Sequence, residues 1–207
     1  MEQNNNLTAE RSLEIIRESI ERSQRTIAKN AGLPLMWWGI CVVVFALLIE
    51  YLWKNHGGPV WHFLWGVMWL VGYIGNRVID RKNETVPTTF VGKTIGHVWG
   101  TFGIFCGGIG LLLGLIGSGV LSDACRLPDV HIFNFITSII TLCFGIASTI
   151  MGLVLKNRPI QICGVVAGLG GFFAALYFPA QQMYVMAAVA VIGLIIPGLI
   201  IHFQSKK

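Results

Sequence analysis

Charge is scarce in this sequence: Asp, Glu, Lys and Arg make up 12% of its 207 residues, against roughly 25% in soluble domains. That deficit, with 54% apolar residues and a mean hydropathy of +0.67, excludes an ordinary soluble fold. Long polar stretches are also missing, because after Leu35 no polar break exceeds 10 residues, which leaves no room for a second domain. Of the five cysteines, Cys41, Cys106, Cys143 and Cys163 fall inside apolar runs and Cys125 stands alone in a loop, so a disulfide framework is not indicated. The opening MEQNNNLTAERS lacks the basic-then-apolar order of a cleavable signal and is expected to stay in the mature protein. H-E-x-x-H, G-x-S-x-G and phosphate-loop motifs are absent as well, and with them the common routes to catalysis. No cofactor and no enzyme activity are expected.

What the sequence has is long apolar runs. In hydrocarbon every backbone N–H and C=O must find a partner, which restricts spanning segments to helices or closed barrels. Alternating barrel strands are absent, so the fold class is an all-α integral membrane protein. Six runs approach the roughly 20 residues that a crossing needs, at about 35–53, 61–78, 95–121, 132–155, 160–178 and 183–203. The expectation is a six-helix transmembrane bundle over 34–207, preceded by an N-terminal cytoplasmic amphipathic helix within 1–33.

Orientation follows from Lys and Arg, which are retained on the cytoplasmic side of short loops. Thirteen of the 15 fall on the side of the two termini, while Lys54 and Arg126 fall on the other. Both termini are therefore expected in the cytoplasm. The net charge of +5 is topological and does not indicate nucleic acid.

Glycine is abundant and ordered. In the third run it occupies 92, 96, 100, 103, 107, 110, 114 and 117, a glycine zipper along one helix face. Small residues at such spacing let helix backbones approach where lipid supplies no hydrophobic drive. Asn134, Ser138, Thr141, Gly145, Ser148 and Gly152 repeat the pattern in the fourth run, and Gly164, Gly168, Gly171 and Ala175 in the fifth. The expected helix-packing residues are thus Gly96, Gly100, Gly103, Gly107, Gly110, Gly114, Gly164, Gly168 and Gly171, forming a core of the third to fifth spans. A pathway or a homo-oligomer seam is the other use of such a face. Pro197-Gly198 is expected to kink or loosen the sixth span.

Ionisable side chains within spans are functional candidates because lipid makes them costly. They are Glu50, four residues before Lys54 and on its face, and Lys93 with His97 at the cytoplasmic start of the third span. His56, His62 and His131, with Asp123 and Asp129, collect on the outer side, without the close paired spacing of a metal motif, so no metal site is expected from them.

The arm SLEIIRESIERSQRTIAK places Leu13, Ile16, Ile20 and Ile27 on one stripe. Its five basic residues are nearly balanced by Glu10, Glu14, Glu18 and Glu21, unlike a helix built to lie on lipid. Glu18–Arg22 and Glu21–Arg25 are favourable four-residue pairs on the wet face. The stripe therefore suits another helix, from a second copy or a cytoplasmic partner. Followed by Trp37-Trp38-Gly39, the arm resembles the opening of a group of small uncharacterised bacterial polytopic membrane proteins, a likeness covering about the first 40 residues. The resemblance implies a bacterial inner membrane and carries no assigned activity. The functional expectation is a non-enzymatic membrane scaffold or signal-relaying subunit; a small transporter or channel is the second reading and a membrane enzyme or metal-binding protein the third.

Overall fold

The structure, a computed structural model, describes residues 2–57, 59–82, 90–117 and 132–204. Every described element is helical: α1 (Glu2–Asn30), α2 (Gly32–His56), a 3-10 turn at Pro59–Phe63, α3 (Leu64–Lys82), α4 (Phe90–Gly117), α5 (Ile132–Val154), α6 (Arg158–Tyr177), a second 3-10 turn at Pro179–Gln181, α7 (Gln182–Ala190), a π-turn at Val191–Ile195, and α8 (Ile196–Gln204). Among them, α2, α4, α5, α6 and the run from Pro179 to Phe203 are five spans long and apolar enough to cross a membrane. This is a multi-pass architecture. The second expected span, α3, falls short of that standard. Its first apolar residues are spent in the 3-10 turn, and Arg77, Asp80, Arg81 and Lys82 crowd its last six positions.

The centre of the bundle is the α5–α6 hairpin. Lys156 takes a positive φ of 52°, Lys156 N–H donates to Leu153 O and Asn157 N–H to Gly152 O, a doubly bonded helix stop. Asn157 then accepts Ile160 N–H on its side chain, and a proline opens the first turn of α6, a cap followed by a residue pre-set for helix. Reversal within three residues lays the helices side by side. A Cβ on Gly145 would lie 2.3 Å from Gly168 Cα, and one on Gly164 would lie 2.8 Å from Thr149 N. Only glycine permits backbones this close.

The last span lies against α2 and α6. Gly39 faces Leu194 and Ile195, Gly32 faces Gly198 and His202, and Lys54 reaches Tyr184, so α2 and the α7–α8 run are antiparallel. Gly171 on Val189 and Ala167 near Gly193 give the same sense for α6 and that run. The loosening expected at Pro197 is a widened turn just before it: Ile196 N–H donates to Val191 O, five residues back. A wider turn relieves the clash of a proline ring with the carbonyl four residues earlier.

On the other side of α2, Gly72 and Gly75 receive the rings of Trp38 and Trp37, and Trp37 Nε1–H donates to Gly72 O at 3.1 Å. At the opposite end Trp53 meets His62, ring centroids 4.8 Å apart. These contacts follow α2 from residue 53 back to residue 37, about 24 Å at 1.5 Å per residue.

Candidate functional site

The arm divides into two parts. Its C-terminal third belongs to the bundle: Ile27 and Ala28 pack against the buried cluster with Ala31 and Leu35, and Gln24 Nε2 donates to Val154 O at 2.9 Å, at the end of α5. A single turn residue, Ala31, separates α1 from α2, and Gly32, Leu33 and Pro34 already belong to α2. Further out, Leu13, Ile16 and Ile20 are 66%, 54% and 41% exposed, with Ile15 exposed beside them. Of the four stripe residues, Ile27 is thus occupied by the chain's own core and the other three are uncovered. On the wet face Arg17 pairs with Glu21 at 3.3 Å, in place of the Glu21–Arg25 pairing that spacing suggests.

Glu50 is paired. Its carboxylate sits 2.9 Å from Lys54 Nζ, with only 12% of its side chain exposed. Lys54 also donates to the Tyr184 hydroxyl at 3.4 Å and lies 5.0 Å from that ring's centroid. The group ties α2 to the beginning of α7 and neutralises the carboxylate. Lys93 and His97 are exposed at the start of α4, where a lysine can reach headgroups. His62 faces Trp53, and His56 lies 6.0 Å from Trp61. No three His, Cys, Asp or Glu residues gather to hold a metal among the described residues; His131, Asp123 and Asp129 lie outside them.

The glycine faces separate sharply. Gly164, Gly168 and Gly171 are buried in contacts with α5 and α7, whereas a Cβ on Gly96, Gly100, Gly107 or Gly110 would meet nothing within 4 Å, and one on Gly103 only the Trp69 ring at 3.4 Å. Gly114 lies in α4 near its end. The expected core of the third to fifth spans is instead built from α5, α6 and the last span, with α4 at the edge. Only 6% of the α4 spanning window is buried, against 33–50% in the other four. The reason is the opposite face of α4. Val91, Ile95, Trp99, Phe102 and Cys106 turn inward, and bulky side chains hold α4 farther from α5 than glycine would. Their spacing of three and four residues is a signal that the glycine repeat overshadows.

The small polar face of α5 is buried at Thr137, Ser138, Thr141 and Ser148. One of its hydroxyls bonds across helices, Thr137 Oγ1 to Gln182 Oε1 at 2.7 Å, while Thr141 and Thr149 turn back to carbonyls of their own helix. Comparison with protein-family models, with curated proteins and with solved structures returned no match.

Proposed function

We propose that this chain is a non-enzymatic membrane subunit that holds a short docking helix at the cytoplasmic surface for a helical protein partner. The observation that carries the reading is the uncovered stripe of Leu13, Ile16 and Ile20, rising from a helix whose lower end is pinned to the bundle through Gln24, Ile27 and Ala28. A rigidly mounted helix loses little entropy on binding. Three anchors at three- and four-residue spacing suit a partner helix with its own apolar stripe, and near-balanced charge on both flanks favours that partner over an anionic lipid surface. A photo-crosslinker in place of Ile16 in intact membranes should capture a cytoplasmic protein, and Leu13→Gln/Ile20→Gln should abolish that capture without lowering the unfolding temperature of the bundle. Crosslinks to lipid or to the chain's own bundle alone would overturn the reading; a crosslink to a second copy would move the partner to self-association.

The same proposal sets six crossings, with both termini in the cytoplasm of a bacterial inner membrane. The Lys and Arg distribution supports it, and so does α3, whose contacts run along α2 from Trp53 back to Trp37, about 24 Å at 1.5 Å per residue. Cysteines placed at Asn30 and Lys156 should then both react with an impermeant maleimide only after permeabilisation, and one at Asn55 before it. Opposite behaviour of positions 30 and 156 would mean that α3 does not cross.

A further inference from the structure

The mid-section of the α4–α5 interface holds chemistry that the docking role does not use. Trp99 Nε1–H donates to Met151 Sδ at 3.3 Å, the Trp99 and Phe102 rings lie 5.9 and 6.2 Å from Phe144, and the next step along the same antiparallel register brings the buried Cys106 side chain beside that of Cys143. Cys143 is 11 residues from either end of α5, and Cys106 is 11 from the end of α4. At 1.5 Å per residue this is about 16 Å, half of a hydrocarbon layer about 30 Å thick. The two thiols therefore meet near mid-membrane.

Depth decides what can react there. Oxidised glutathione is charged, and hydrocarbon penalises a charge heavily, so a water-soluble disulfide does not reach this depth. Capture of a soft monovalent cation would leave a negatively charged bis-thiolate complex in the same medium. A neutral lipid-soluble acceptor does reach this depth, and its overall two-electron oxidation of a dithiol leaves no net charge behind. The pair is also reachable from lipid: Cys143 is only half-buried, and neighbouring Ile104 and Phe105 on α4 are exposed.

We propose that Cys106 and Cys143 form a redox-active dithiol that a membrane-soluble quinone converts to a disulfide between α4 and α5. Two S–H bonds break and one S–S bond forms; the two electrons and two protons pass to the quinone oxygens, giving one hydroquinone. The bond would staple the least buried of the five spans to the central hairpin.

The test uses the full chain in lipid nanodiscs, reduced and freed of reductant, then treated with a decyl-substituted benzoquinone or with oxidised glutathione. Free thiols are counted by maleimide-polymer mass shift after denaturation. The quinone should lower the count from five to three with one hydroquinone formed per chain, and oxidised glutathione should leave this pair intact. Cys106→Ala and Cys143→Ala, each verified to keep the wild-type elution profile, should retain all remaining thiols, and peptide mapping should find 106 linked to 143. Retention of five thiols under quinone, a quinone adduct on a single sulfur, or equal loss in the variants would overturn the proposal.

Discussion

Gly145→Val is expected to lower the thermal unfolding midpoint of the detergent-solubilised protein by about 6–12 °C, the equivalent of about 3 kcal/mol at this chain length. The first atom of any side chain there would sit 2.3 Å from Gly168 Cα and 2.9 Å from both Gly164 O and Gly168 N. All three are backbone, so no rotamer change relieves the contact, and the hairpin must open along its length. Gly107→Val supplies the matched control. Its Cβ would meet nothing within 4 Å, and it exchanges a poor helix former for a somewhat better one, so its midpoint should stay within about 1 kcal/mol of wild type. Equal losses in the two variants would sink the assignment of α5 and α6 as the core. Native mass spectrometry of the Gly107→Val protein adds a separate reading: a drop in oligomer size without loss of stability would identify the bare α4 face as a seam between copies.

Gly198→Leu should be the second most damaging of these changes, at about 2 kcal/mol. A Cβ at Gly198 would lie 2.7 Å from Met36 Cγ, 2.9 Å from Gly32 O and 3.1 Å from Met36 N. The first neighbour is the middle of a flexible side chain and the others are backbone, so a second change, Met36→Ala, should restore part of the loss and no more. The arm should feel the wedge as well, because α1 touches both α8 and the start of α2. Limited proteolysis within residues 10–30 should quicken in Gly198→Leu and slow again in the double variant. An unchanged midpoint would mean that α8 does not close on α2 as described.

Much of the architecture is legible in the residue order, for a plain reason. A run such as that of α2 or α5 has no soluble alternative, and its length alone identifies a crossing. The face that each helix turns inward is far less legible. In water an apolar stripe names the buried side, whereas in lipid both sides are apolar and the stripe disappears. The α4 glycines illustrate this: their regularity is plain, yet packing depends on Trp99, Phe102 and Cys106 across the helix. The shortening of α3 was hidden by Pro59, whose local 3-10 turn consumes residues counted toward a span. The arm was readable as a helix, but only packing reveals that Ile27 serves the bundle while Leu13, Ile16 and Ile20 do not. Glu50 lay closest to its expectation, because a lysine four residues on is a helical neighbour by geometry.

The pairing of α2 with the α7–α8 run has a consequence for how the protein is made. The helix beginning at Gly32 finds Gly198 and His202 only after more than 160 further residues have been synthesised, while α5 and α6 meet across three. At about 5–20 residues per second, α2 waits roughly ten seconds or more in the bilayer with its glycine-lined side open. During that interval Gly32 and Gly39 offer a vacant groove to any insertion factor or neighbouring helix, and quality control has a defined target until the final segment arrives and covers it.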